Sequence, residues 1–464
     1  MVVRGRWTLV LSLLLLQAFT IGAALYVWST GLIEDGSAPG AAAKPAPSRA
    51  PVPLITSAPV LASGTGGEAP DAKALAARLK GPLGSSALGG RVGAVVLDAA
   101  TGTTLFSSRA TTGLTPASTT KVVTAVAAIL TLGPDATLTT RVVRGDAKDS
   151  IILVGGGDPT LAGPKATGRG YPRPASLATL AARTARALKA AGVTKVTLGY
   201  DDSLFSGPKI AAGWKPNYVP EGTVAPVTAL MHDVGKVDPR TRQRWPDPSR
   251  ATAATFASLL KRYGVTVTPG PRVAKAAASA QELARVESPP VYQLVERMLT
   301  DSDNDLAEAL AHHVALKRGL RGTFADGAKA SLRVLRDLDA DEGVRLSDGS
   351  GLSTANRITP QALARLLAIA ASPEYPQLHT VISGLPVAGF TGTLDDRYDR
   401  KESEPGAGLV RAKTGTLNGV NTLAGVARTS DGRLITFAFM ADRVPAPDPA
   451  VAALDRLATI VAMS

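Results

Sequence analysis

Ser118 and Lys121 stand three residues apart in Pro116-Ala117-Ser118-Thr119-Thr120-Lys121, just ahead of the apolar run from Val122 to Leu132. If that run is a helix, the two side chains fall one turn apart on one face. A serine at a helix N-terminus feels the positive end of the dipole, which favours a developing alkoxide. A lysine one turn on can take the serine's proton, provided its own amine is neutral. The pair has the makings of a nucleophile and its base. The spacing alone is weak, because Ser-x-x-Lys arises by chance about once in a chain of this size. Ser206-Gly207-Pro208-Lys209 also fits, but Pro208 opposes a helix interior and predicts a turn.

Acyl transfer needs more than that pair: a proton path to the leaving amine, and donors for the oxyanion. Two further motifs can supply these roles. Ser302-Asp303-Asn304 is expected in a loop before the helical run Leu306 to Leu316, and Lys413-Thr414-Gly415-Thr416 on a strand. Ser302 can relay a proton, and Asn304 can hydrogen-bond a substrate amide. The Lys413 strand can pair with an extended peptide, with Gly415 permitting close approach. Lys413, Thr414 and Thr416 suit a terminal carboxylate. If Lys413 converges on Lys121, it lowers the pKa of that lysine. The backbone N–H groups of Ser118 and Thr416 would form the oxyanion hole.

Other chemistries find less support. A Ser-His-Asp triad must draw on His232, His312, His313 and His379, with no G-x-S-x-G to accompany them. Gly155-Gly156-Gly157-Asp158-Pro159 has no following Gly-Lys-Ser/Thr and reads as a turn rather than a phosphate loop. The acidic run Asp301 to Asp305 begins like a calcium loop, but Leu306 and His312 stand where that loop needs glycine and glutamate. Glu308 and His312 lack a visible third metal ligand. His312 and His313 are expected at a helix surface or interface. Cysteine is absent, which excludes a disulfide framework, a thiolate zinc site and a cysteine nucleophile. Neither metal nor cofactor is implied. The net charge of +13 fits an anionic polymer or membrane surface. No Lys/Arg block with interleaved aromatics points to nucleic acid.

The 464 residues exceed one ordinary core, so two or three domains are expected. Residues 1–33 hold an uncharged run from Trp7 to Trp28 behind Arg4 and Arg6, read as a transmembrane anchor or signal sequence. Either places the remainder outside the cytoplasmic membrane. Residues 34–70 are a Pro/Ala-rich linker. Order begins near Asp71 with a helix, then a hairpin of Arg91 to Asp98 and Thr104 to Ser107. Strands at Leu409 to Thr416, Val420 to Arg428 and Leu434 to Ala441, with a terminal helix from Pro447, predict an antiparallel meander packed beside that hairpin. The block between has alternating elements of its own. The expected fold is an α/β sandwich, first part 71–139 and second part 286–464, split by one or two small inserted domains at 140–285.

The three motifs, in this order, form the signature of class A β-lactamases and penicillin-binding proteins. With them placed, the chain resembles the class C low-molecular-mass penicillin-binding proteins, the D-alanyl-D-alanine carboxypeptidases and endopeptidases. The resemblance runs from about Asp71 to Ser464. It includes Val154-Gly155-Gly156-Gly157-Asp158-Pro159-Thr160-Leu161, Asp348-Gly349-Ser350-Gly351-Leu352-Ser353 and Gly392-Thr393-Leu394. Its sharpest part is the long separation of Ser118 from Ser302, where that family carries an insert and class A β-lactamases do not. The resemblance implies cleavage of D-Ala–D-Ala bonds or peptide cross-links in peptidoglycan through an acyl-enzyme on Ser118, with β-lactams acylating the same serine. It implies Ser118, Lys121 and Ser302 as catalytic, and Asn304, Lys413, Thr414, Gly415 and Thr416 as substrate-binding. A β-lactamase would need fast deacylation, and no dedicated glutamate for that is evident. A non-catalytic wall-binding scaffold would have little reason to keep Ser118, Lys121, Ser302 and Lys413.

Overall fold

A computed structural model describes residues 66–166 and 171–464. The expected anchor and most of the linker lie outside the described residues, among which no helix is long and apolar enough to cross a membrane. Five antiparallel strands form the principal sheet in the order β2-β1-β11-β10-β9. They are β1 (Arg91–Asp98), β2 (Thr104–Ser108), β9 (Val410–Leu417), β10 (Val420–Arg428) and β11 (Leu434–Asp442). β1 pairs with β11 over its whole length, from Arg91 opposite Asp442 to Asp98 opposite Ile435. The two ends of the chain thus close one sheet.

β10 and β11 are buried along almost their full length, which is why apolar residues dominate both without strict alternation. One face carries the helices Thr120–Leu132, Asn304–Lys317 and Pro360–Ala371 around Val122, Val126, Leu306, Leu310 and Leu363. The other carries Ala72–Leu83 and Pro447–Ala462 over Leu75, Leu79, Phe437, Phe439 and Leu457. The result is the β-lactamase-like α/β sandwich expected from the motifs.

A second, mixed sheet runs in the order β6-β5-β4-β3-β8, with β7 also on β5. It comprises β3 (Thr139–Arg144), β4 (Ser150–Val154), β5 (Lys195–Asp201), β6 (Thr266–Val267), β7 (Arg272–Val273) and β8 (Glu282–Glu287). Two amphipathic helices, Leu177–Ala190 and Pro248–Arg262, cover it through Leu180, Leu188, Phe256 and Leu260.

Between β5 and the Pro248 helix the chain leaves this sheet. Phe205, Trp214, Tyr218 and Val224 pack with Ala309, Phe324 and Leu352 of the principal domain. A buried ion pair, Arg244 to Asp305 at 3.1 Å, and the Ala225 N–H on Asp305 Oδ1 at 2.7 Å pin this excursion to the start of the Asn304 helix.

Candidate active site

Ser118 lies in a 3-10 turn, Ala117–Thr119, that enters the helix rather than in the helix itself. Lys121 is the second helical residue. The spacing of three still works, and Lys121 Nζ stands 3.1 Å from Ser118 Oγ. Ala117 holds φ +49° immediately before the nucleophile, a left-handed conformation that costs a non-glycine residue about 1–2 kcal/mol. The surroundings enforce it. Thr119 Oγ1 and Thr422 Oγ1 both donate to Pro116 O, at 2.6 and 2.8 Å, and Thr120 Oγ1 donates to Ala117 O at 2.9 Å.

β9 runs hard against this turn. A Cβ on Gly415 would stand 2.2 Å from Thr422 Oγ1 and 2.8 Å from Pro116 O. Gly415 is expected to admit a peptide, and its missing side chain also admits the strand to the back of the nucleophile's turn. Thr416 faces outward and lines the same cleft as Ser118. Thr414 Oγ1 bonds Thr393 Oγ1 at 2.8 Å, which ties the Gly392-Thr393-Leu394 turn to the strand.

Lys121 is fully buried. Its Nζ donates to Asn304 Oδ1 at 2.7 Å and to Ser350 O at 2.8 Å, besides its contact with Ser118. Burial pulls its pKa down to about 8, against the attraction of Glu308, Asp348, Asp303 and Asp305. The expected cause was Lys413. Lys413, also fully buried, lies well below the usual lysine range through burial first, then through the neighbouring Lys121 and Arg397. Lys413 Nζ donates to Thr414 O at 3.0 Å.

The second motif is placed differently from its sequence reading. Asp303 caps the helix by accepting from Leu306 N at 3.0 Å, so Asn304 is the first helical residue rather than part of a loop. Both ends of its amide are engaged: Oδ1 with Lys121, and Nδ2 with Thr223 O at 2.9 Å. Its amide, expected to meet a substrate, joins the base to the excursion from the second sheet. Ser302 adopts φ +55° two residues earlier; Asn304, not Ser302, makes the contact with Lys121.

The floor behind Lys121 is the loop Asp348 to Ser353. Asp348 accepts from Trp214 Nε1 (2.8 Å), Gly351 N (2.9 Å), Ser353 N (2.6 Å) and Asn356 Nδ2 (2.6 Å). Gly351, at φ +87°, passes so close that a Cβ would lie 1.8 Å from Ala117 O. A cleft of about 800 Å³ opens above, lined by Ser118, Asn304 and Thr416 together with Lys215, Asn217, Tyr218 and Glu221 of the excursion.

Spacing gave Thr223, Glu308, Asp348 and Ser350 no role in acyl transfer, although the family resemblance took in the loop from Asp348 to Ser353. The glycines flanking Ser350 were a signal for a tightly packed loop, and Glu308 falls one turn from Asn304 on the same face. Trp214 and Thr223 left no signal, because only the tertiary path of the excursion brings them here. His312 is buried, its ring 4.8 Å from that of Phe205 and 4.9 Å from that of Phe324. The Ser206–Lys209 decoy is a loop, with Lys209 bridging to Asp202 at 3.5 Å.

A profile of the D-Ala-D-Ala carboxypeptidase 3 (S13) family matches residues 74–246 and 241–461. The chain is 37% identical over 360 residues to a carboxypeptidase of Mycobacterium tuberculosis, covering 76% of each chain. It is 35% identical over 459 residues to carboxypeptidase DacB of Mycolicibacterium smegmatis, covering 97% of this chain and 95% of that one. Among solved structures it resembles penicillin binding protein 4 of Haemophilus influenzae, with a TM-score of 0.68 at 23% identity, over 84% of this chain and 98% of that one. That protein has also been solved complexed with a β-lactam.

Proposed function

This chain belongs to the D-Ala-D-Ala carboxypeptidase 3 (S13) family and is a serine D-Ala-D-Ala carboxypeptidase/endopeptidase; from that premise we propose that Ser118 carries the acyl group and Lys121 is its base. The observation that carries the reading is the hydrogen-bond environment of Lys121 Nζ. A neutral amine has two N–H bonds and one lone pair. Asn304 Oδ1 and Ser350 O can only accept, so they take both N–H bonds. The lone pair is left facing Ser118 Oγ, whose O–H can donate.

Ser118 Oγ then attacks the carbonyl of the penultimate D-Ala as its proton passes to Lys121. The oxyanion is received by the N–H groups of Ser118 and Thr416. Collapse breaks the peptide bond. The leaving amine of the terminal D-Ala takes the proton back from Lys121, directly or through Ser302, and an ester on Ser118 remains. Water attacks that ester with Lys121 again as base, which frees the shortened peptide and restores the O–H. Lys413 and Thr416 hold the terminal carboxylate, and Thr414 supports them through Thr393. Gly415 keeps the strand in place.

Peptidoglycan stem peptides are the substrate class this reading implies, with β-lactams acylating Ser118 in their place. The run from Trp7 to Trp28 supports a site of action outside the cytoplasmic membrane. Incubation with fluorescent penicillin tests the assignment. Wild type is expected to become labelled and Ser118→Ala to stay dark; label surviving in Ser118→Ala would sink the role of Ser118. Rapid loss of label would favour the β-lactamase reading, and absence of label on wild type the scaffold one. Release of D-Ala from a D-Ala–D-Ala peptide, lost in Ser118→Ala, completes the test.

A further inference from the structure

Glu308 is fully buried on the Asn304–Lys317 helix, one turn beyond Asn304. It makes no contact with the substrate cleft. Its two carboxylate oxygens accept from two successive backbone amides, Oε2 from Gly349 N at 3.0 Å and Oε1 from Ser350 N at 2.8 Å. The next peptide group, Ser350–Gly351, gives its N–H to Asp348 Oδ1 at 2.9 Å and its carbonyl to Lys121 Nζ at 2.8 Å. On the opposite side Thr124 Oγ1, from the lysine's own helix, donates to Gly349 O at 2.6 Å. Three consecutive peptide planes are therefore fixed in orientation, and the last of them aims an acceptor at the base.

We propose that Glu308 is a positioning residue for acyl transfer: by bridging the amides of Gly349 and Ser350 it holds the Ser350 carbonyl on Lys121 Nζ, and so turns the lysine's lone pair to Ser118. The inference rests on the reading of Ser118 as nucleophile and Lys121 as base. Without a fixed Ser350 carbonyl, Lys121 keeps one N–H acceptor, Asn304. The amine can then rotate an N–H toward Ser118, which spoils the geometry of proton transfer. Misplacement on that scale lowers rates by about 10- to 100-fold.

Glu308 also has an electrostatic influence, and the two effects can be separated. Its charge favours the cationic form of Lys121. Burial first, then Asp348, push the Glu308 carboxyl up to about 8, against the two amide donors. The other ionisable groups facing this pair are Asp303 and Asp305 at the start of the same helix, Asp348 from the loop and Lys413 from β9. His312 lies one turn on, its Nδ1–H donating to the Glu308 carbonyl at 2.7 Å.

Glu308→Gln leaves one amide without an acceptor and removes the charge. Glu308→Asp keeps the charge but is too short to span both amides. The rate of acylation by fluorescent penicillin, measured from pH 5.5 to 9.5, distinguishes the effects. Glu308→Gln is expected to lower the high-pH plateau by about 10- to 100-fold; a shift of the acid limb goes to lower pH and stays small, because Glu308 is itself only partly ionised near pH 8. Glu308→Asp is expected to lower the plateau and leave the limb in place. A role confined to general stability would lower the melting temperature and leave the acylation rate of the folded protein at its wild-type value. A wild-type plateau in either folded variant overturns the proposal. Thermal melts establish folding, and if Glu308→Gln does not fold, the plateau of Glu308→Asp decides. An unlabelled wild type would instead overturn the underlying reading of Ser118.

Discussion

The ionisation of Lys121 sets how much base the enzyme has at neutral pH. With its pKa near 8 instead of the ordinary 10.5, neutral amine at pH 7 is enriched by roughly 300-fold, since every unit is a factor of ten. About 10% of molecules then carry a competent base at pH 7, against about 0.03% for an ordinary lysine. Acylation by a β-lactam should rise about tenfold per pH unit below pH 7 and level off above pH 9. The same displacement bears on stability. The folded-state value lies below the unfolded one, so the unfolded chain binds more protons between pH 8 and 10.5, and stability rises with pH through that window. At pH 7 the penalty amounts to about 3 kcal/mol. Lys121→Met removes it, but leaves Asn304 Oδ1 and Ser350 O without their donor, a loss of about 1–3 kcal/mol each. Two measurements follow: acylation rate against pH for wild type, and urea unfolding of wild type and Lys121→Met from pH 7 to 10.5. Wild type should gain stability relative to Lys121→Met as pH rises through 8 to 10.5. An acid limb centred near 10, or a stability difference that does not change with pH, would refute the idea that burial makes this lysine a base.

Lys413 lies well below the usual lysine range in the free enzyme, so seating a substrate carboxylate beside it should draw in a proton. Calorimetry of Ser118→Ala with a D-Ala–D-Ala peptide, in buffers of different ionisation enthalpy from pH 6 to 9.5, should show a window of proton uptake that disappears in Lys413→Gln. Asp348→Ala strands four buried donors, at about 1–3 kcal/mol each, and should abolish soluble expression, whereas Asp348→Asn should fold with a lower urea midpoint. Gly415→Ala drives a methyl group against Thr422 and Pro116. It should reduce penicillin labelling by about 100-fold while far-UV circular dichroism is unchanged. Arg244→Met leaves Asp305 buried without its cation and should cost about 3–5 kcal/mol, read as a fall in melting temperature at pH 8.

The principal sheet was legible because its strands are punctuated by turns and because β10 and β11 are too apolar to lie on a surface. Ser118, Lys121 and Lys413 were legible because their chemistry is tied to short local spacings that survive in any context. Asn304 was located, but sequence could not show that its amide also joins Lys121 to Thr223. Glu308 and Asp348 were harder. Glu308 accepts from backbone amides alone, and Asp348 from amides and from the Trp214 and Asn356 side chains, so short spacing distinguishes neither from a solvated carboxylate. The Phe324–Asp337 helix, capped by Thr323 and buried at helical spacing through Phe324, Ala328, Ser331 and Leu335, was legible in the sequence but not read there. Thr223 and Trp214 were invisible for a different reason: the excursion carrying them has almost no regular structure, and hydrophobic periodicity has nothing to register.

The pairing of β1 with β11 has a consequence for biogenesis. β1 leads into the nucleophile's turn, yet its partner lies roughly 340 residues further along the chain. At about 5–20 residues per second, translation needs about twenty seconds to a minute to supply it. For that interval β1 and its β2 hairpin are an unpaired edge of apolar residues, and contacts of such long range form slowly. β9, which backs the serine, also arrives late. The catalytic cleft is thus among the last features of the molecule to exist, and a nascent or prematurely ended chain has no site to be acylated. Penicillin labelling therefore reports completion of the polypeptide as well as chemistry at Ser118.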